Sequence, residues 1–298
     1  MLVSAATFAM AEALPGDQAF RITAARYDAE RVTSAATLLV RGELGLDRPA
    51  GLRLLHWMAA TVSGELGRSA VTGEPVARTI LPPLWRSLAL VALAWPLALA
   101  GGVAAGMVLA RSPAGLATAG LLGAVASGVP SYVLGLGLGT VFAIGLGWLP
   151  VAGYGGLSHL VLPAATLVLL GGARLALVTA RSCAAALDHP SIGFARMKAV
   201  GPGALAVLHV LPLAAAPVVA YAFVSLVFLL EGAAVIETVF AFPGVGRLMV
   251  DAVRSRDVPV VQGAALAVAL LVVGANCAAD TLADALSRLV GRDGWQGV

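Results

Sequence analysis

Long uncharged apolar runs alternate with short polar segments along most of this chain, and the run lengths predict membrane-spanning helices. Residues 88–110 carry no charge and lie between Arg86 and Arg111. About 20 mostly apolar residues cross a bilayer, so this run is one span. No Asp, Glu, Lys or Arg occurs from residue 112 to residue 173, which is too long for one helix rising about 1.5 Å per residue. The stretch GWLPVAGYGG (147–156) holds Pro and several Gly and reads as a turn. It divides the run into spans at 116–146 and 160–180, with a tilt or kink expected at Pro130. Residues 213–230 and 261–282 complete the visible spans. The opening MLVSAATFAMAEAL is apolar, too short to cross alone and interrupted by Glu12; residues 1–14 read as part of a truncated first span. Residues 15–83 are polar with mixed charge, and their Leu and Trp predict a small folded piece.

Composition agrees with the pattern. The 298 residues are 59% hydrophobic and 12% charged, with a mean hydropathy of +0.92. Soluble domains carry about 25% charged residues, so the fold class is all-α integral membrane. The 35 glycines suit close helix packing in lipid. The domain plan is one transmembrane domain over 1–298. It comprises a partial span (1–14), an extracytoplasmic loop (15–83), core spans (84–290) with a cytoplasmic loop (181–209), and a tail (291–298).

Charge sets the orientation. Arg181, Arg196 and Lys198 stand against Asp188 in one short loop, and Arg288 and Arg292 sit near the C-terminus. Both segments read as cytoplasmic by the positive-inside rule, which places 15–83 and 231–260 outside. The net charge of +3 contains no long basic run, so nucleic-acid binding is excluded and the basic loops face anionic lipid. Cys183 and Cys277 are far apart, and His56, His159, His189 and His209 are scattered. Neither set makes a disulfide framework or a metal site. The only lysine, Lys198, is followed by Ala199, so a phosphate-binding GxxxxGK[ST] loop cannot form. With no GxSxG and no paired His, the chain reads as a non-enzyme that binds no cofactor. A secondary transporter or channel is the other class considered, but the two halves show no matching repeat.

Within 231–263, EGAAVIETVFAFPGVGRLMVDAVRSRDVPVVQG places Glu237, Phe240, Pro243, Gly244, Gly246, Asp257, Pro259 and Gln262 in a fixed order. This order resembles the segment before the last span in permease subunits of ABC importers for di- and oligopeptides and nickel. LPGD (14–17), GELGRS (64–69), GEPV (73–76), GWLPVAGY (147–154), LPAATL (162–167) and Asn276 with Asp280 extend the resemblance over nearly the whole chain. It implies an ABC importer type I permease fold with about six spans in a bacterial inner membrane. It also implies a second homologous permease subunit, two ATP-binding subunits that use ATP and Mg, and an extracytoplasmic substrate-binding protein. Di- or oligopeptides are the expected cargo, with nickel or a metal chelate as the alternative.

The same resemblance assigns an ATPase-coupling loop to SIGFARMKAVG (191–201), with Phe194, Ala195, Arg196, Met197, Lys198, Ala199 and Gly201 at its centre. Gly201 is expected to supply a positive φ between two short helices, so Gly201→Pro is expected to abolish transport. Ala195 stands where the family has an acidic residue, and Pro202 and Gly203 where it has charged helical ones. Glu237, Phe240, Pro243, Gly244, Gly246, Asp257 and Pro259 are assigned to an outer gate or docking loop whose charges keep it wet. Asn276 and Asp280 lie one turn apart and can hydrogen-bond to each other or across helices. For Arg174, snorkelling to the cytoplasmic face is favoured over lining the translocation path.

Overall fold

The computed structural model describes residues 5, 6, 8, 9, 16–27, 32–43, 45–62 and 64–293. Among them the regular structure is helical, with a single isolated bridge between Arg68 and Pro75. The helices are α1 (Gln18–Tyr27), α2 (Ser34–Glu43), α3 (Ala50–Val62), α4 (Val76–Leu109), α5 (Pro113–Gly128) and α6 (Ser131–Leu138). They continue as α7 (Ser158–Leu187), α8 (Pro190–Met197), α9 (Pro202–Leu205), α10 (Leu211–Val239), α11 (Val245–Arg254) and α12 (Val258–Asp293). Wider π-type turns extend α6 through Gly139–Gly145 and join α9 to α10 through Ala206–Val210. Among the described residues four helices are long and apolar enough to cross a membrane, and the bent pair Pro113–Gly128 and Ser131–Gly145 is together apolar enough for a fifth, as a broken span or a re-entrant loop. The proposed partial span at 1–14 lies almost wholly outside the described residues, and Glu12 is among those not described.

The bend in that pair is 99°, far sharper than a tilt. Pro130 has no N–H to donate, and its ring disfavours helical backbone at the preceding residue. Val129 is accordingly extended, with φ −88° and ψ 120°. The start of α5 is equally legible: the Ser112 side chain accepts from the Gly115 N–H at 3.0 Å, and Pro113 occupies the first turn, the arrangement expected of an N-cap.

The chain divides into two compact units. One contains Leu88–Phe242 and the chain from Val272. Its larger core gathers Leu90, Val91, Leu162, Leu167, Leu229, Ile236, Phe240 and Phe242. A second cluster of Cys183, Ile192, Ala195, Leu205 and Val210 ties the α8–α9 region to the end of α7. Small residues set the helix spacing. A Cβ on Gly102 would meet the Gly172 carbonyl at 2.8 Å, and one on Gly106 would meet Thr179 Cβ at 2.5 Å. Gly102 and Gly106 are four residues apart on α4, the spacing that lets helix backbones approach in lipid.

The other unit contains the chain up to Ser87 together with Pro243–Leu271. Ile22, Val40 and Ala70 form a small core beneath α1 and α2. Arg26 joins them, donating to Glu43 and to the Ala70 carbonyl, both at 2.7 Å. Residues 15–83 thus hold the folded piece the sequence predicts. A separate core packs Val76 and Ile80 of α4 against Val245 and Ala252 of α11 and Val260 and Ala264 of α12. Gly263 makes that approach possible, since a Cβ there would lie 2.6 Å from Val76 Cγ1.

Candidate functional site

The segment to which the resemblance assigns coupling is a short helix, a tight turn and a second helical start. His189 caps α8 and Pro190 occupies its first turn. Ile192 and Ala195 point inward and are buried, whereas Phe194 and Met197 are 57% and 79% exposed. Lys198 Nζ lies 4.6 Å from the Phe194 ring centroid, a cation–π distance. Arg196, Ala199 and Gly201 are exposed. The element therefore holds itself to the spans by one face and offers an apolar, cationic face outward.

The left-handed residue in this turn is Ala199, at φ +56°, and not Gly201. Ala199 N–H donates to the Arg196 carbonyl at 3.0 Å and Val200 N–H to the Ala195 carbonyl at 3.4 Å. This is the Schellman pattern that usually selects glycine. Gly201 has φ −63° and ψ 149°, close to the φ that proline imposes. Gly201→Pro therefore does not strain the backbone dihedral of the turn, which corrects the expectation from sequence.

The same device recurs at the other assigned segment. After α10, Ala241 (φ +50°) donates to the Thr238 carbonyl, and Phe242 donates to that of Glu237 at 2.8 Å. After α11, Arg256 (φ +55°) donates to the Val253 carbonyl, and Asp257 donates to that of Ala252 at 2.8 Å. With Ala, Ala and Arg in the left-handed places, the glycine signal for these turns is missing from the sequence.

The segment expected to form an outer loop is not a continuous loop, and the two acids assigned to it, Glu237 and Asp257, are buried. Glu237 is fully buried within α10, and Phe240 is buried at its end. Gly153 N–H donates to the Phe240 carbonyl at 2.8 Å, and Tyr154 meets Phe242 edge-on at 5.4 Å. The GWLPVAGY turn is thereby pinned to the end of α10. Pro243, Gly244, Gly246, Asp257 and Pro259 fall in the other unit. There Gly244 and Gly246 are buried, Arg86 donates to the Pro243 carbonyl at 3.4 Å, and the Val245 N–H donates to Ser87 Oγ at 2.8 Å. Asp257 is 4% exposed. It accepts from the Ser69 hydroxyl and from the Ala70 N–H at 3.0 Å. Arg256 Nη1 donates to the Gly16 carbonyl at 2.8 Å. These acidic and basic groups act as internal ties that hold the 64–76 loop and the chain near residue 16 to the turn after α11.

Sequence reasoning also missed α11 itself. Val245, Leu248, Met249 and Ala252 follow the helical i, i+3, i+4, i+7 spacing and pack inward, while Arg247, Asp251 and Arg254 lie on the other face. The Gly and Pro around it drew attention to turns instead.

A cavity of about 330 Å³ with mixed polar and apolar walls sits where α5 breaks. Arg174 of α7, Tyr221 and Glu231 of α10, and Pro130 and Ser131 at the break line it. Arg174 donates through Nε and Nη2 to the Ala126 carbonyl, at 3.1 and 2.6 Å, and its guanidinium lies 5.7 Å from the Phe228 ring centroid. Arg174 lies about 20 Å from the end of α7, counting 1.5 Å per residue. Its guanidinium is held by a carbonyl of α5, at the wall of the cavity. Among the described residues Asn276 is exposed on α12, and the side chain of Asp280 lies outside them.

Residues 102–292 match the family model for the binding-protein-dependent transport system inner membrane component. The chain belongs to this permease family. Relatives named glutathione transport system permease protein GsiC agree over nearly the full length. The protein from Escherichia coli O6:H1 is 36% identical over 296 residues, covering 96% of this chain and 92% of its own. That from Shigella flexneri serotype 5b is 35% identical with the same coverage. That from Salmonella typhimurium is 33% identical, covering 96% of this chain and 93% of its own. The permease is thus a multi-pass protein of the bacterial cytoplasmic membrane and a transmembrane subunit of an ABC importer.

Proposed function

We propose that this permease moves short peptides inward, driven by ATP hydrolysis in partner subunits that engage the α8–α9 element. The observation that carries the reading is the two-faced coupling helix. Ile192 and Ala195 are buried against the membrane core while Phe194 and Met197 stand exposed beside Lys198. An exposed Phe–Met pair on a rigid knob suits insertion into a groove of a partner. A rigid-body displacement of that partner then moves α7 and α10, which flank the element. In this reading the partners are a second permease subunit, two ATP-binding subunits that hold ATP and Mg, and an extracytoplasmic binding protein. The cargo class rests on the relatives, whose printed name is for glutathione transport, glutathione being itself a short peptide. Nickel or a metal chelate has no comparable support.

Photocrosslinking tests the coupling. A crosslinker at Met197 is expected to capture the ATP-binding subunit in the native membrane, and one at the exposed Leu121 of α5 is not. Capture from both positions, or from neither, contradicts the assignment.

A further inference from the structure

We propose that the cavity at the α5–α6 break is a substrate-contact site within the permease, one that recognises a zwitterionic peptide by both of its termini. Arg174 takes the carboxylate and Glu231 the ammonium group. This deepens the peptide-importer reading and rests on it.

Three observations converge on the site. First, it brings charged side chains into a hydrophobic bundle. Ionisable side chains in a spanning helix are costly and face protein or water, and here a cation and an anion from two helices line one cavity. Second, Arg174 is fixed but not used up. Its two hydrogen bonds go to a single carbonyl, that of Ala126, near the end of a half-helix where cations are favoured. A guanidinium has five N–H donors, so three remain for an incoming carboxylate. Third, the backbone opens there. Pro130 and Ser131 line the cavity at the 99° bend, and irregular backbone at membrane depth is tolerated where it lines a cavity.

The size also fits. About 330 Å³ lies at the lower end of small-molecule pockets, which run from about 300 to 1,000 Å³. Tyr221 and Ser225 add hydroxyls to the wall. The Ser225 hydroxyl donates to the Ala222 carbonyl at 2.6 Å, which leaves its oxygen able to accept from a peptide N–H. The site thus offers one cation, one anion and neutral hydroxyls, the complement of a short peptide with free ends. A substrate with one end blocked leaves one of the two charges without its partner.

Equilibrium binding to the full complex in nanodiscs, prepared without the binding protein, tests this with radiolabelled dialanine as probe. N-acetyl-dialanine and dialanine amide serve as competitors. In the wild type each blocked peptide is expected to compete about tenfold more weakly than dialanine, the loss of one charge-assisted contact. In Glu231→Gln the acetyl penalty is expected to vanish while the amide penalty stays; in Arg174→Met the reverse. Glu231 is exposed, so its variant decides the matter even if Arg174→Met fails to assemble. Absence of saturable binding, equal competition in the wild type, or an acetyl penalty unchanged in Glu231→Gln overturns the proposal. Uptake with the binding protein and ATP separates the layers. Dialanine uptake without discrimination at the cavity sinks the cavity site alone. Failure of the wild type to take up either dialanine or glutathione sinks the cargo reading beneath it.

Discussion

Gly106→Ala tests how the bundle is held together. A Cβ at this position would lie 2.5 Å from Thr179 Cβ, 2.7 Å from the Ala176 carbonyl oxygen and 2.9 Å from Thr179 Cγ2, where ordinary contact begins at 3.4 Å. The carbonyl belongs to the α7 backbone, so no side-chain rotation relieves the overlap. The two helices must part locally by about 1 Å, and a gap of that order forfeits a quarter to a half of each neighbouring dispersion contact. Overpacking in well-packed cores costs about 1–3 kcal/mol, and the backbone clash places this variant in the upper part of that range. The control is Gly101→Ala in the same helix. Nothing lies within 4 Å of a Cβ there, and replacing Gly by Ala in an open helix position gains about 0.5–1 kcal/mol. Thermal unfolding of both variants in nanodiscs, at one scan rate, reads the difference. Gly106→Ala is expected to unfold well below the wild type, and Gly101→Ala at or above it. Equal midpoints for the two variants would refute the close-packing argument.

Other perturbations probe the turns and ties. Ser69→Ala removes the hydroxyl that donates to buried Asp257 and accepts from the Val71 and Thr72 N–H groups. It is expected to cost about 1–3 kcal/mol, read as earlier unfolding and faster proteolysis of the 64–76 loop; unchanged proteolysis would contradict the tie. Ala199→Gly is expected to stabilise the coupling turn by about 1 kcal/mol, by removing the Cβ from a left-handed position. Ala199→Val is expected to destabilise the turn and slow ATP-dependent uptake; equal uptake by the two variants would contradict a role for its geometry. Phe194→Asp changes an exposed side chain, so membrane insertion is expected to stay normal while capture of the ATP-binding subunit falls at least tenfold. Retained capture would move the docking surface elsewhere.

What the sequence disclosed followed from hydropathy and proline chemistry. Long apolar runs located the spans from α4 onward, Pro130 marked the break, and the Gly147–Gly156 turn fell as read, with positive φ at Gly147, Gly153 and Gly156. Three things were hidden, each for a physical reason. The left-handed turn positions carry Ala199, Ala241 and Arg256, because tertiary context sustains a strain that composition does not show. Glu237 and Asp257 read as surface charges, yet burial depends on which segments return to meet them, and Asp257 meets a loop 188 residues away in sequence. The cavity joins Arg174 to Glu231 across two helices, a relation that no local pattern carries.

In the proposed function this subunit does no work of its own and is moved by a nucleotide-hydrolysing neighbour. Solute flux in proteoliposomes tests it most directly. The assembled importer, with its binding protein, is expected to accumulate dialanine only with ATP, and to lose uptake when the phosphate-binding lysine of the ATP-binding subunits is replaced. Accumulation by the permease pair alone, driven by a proton or sodium gradient, would contradict the account.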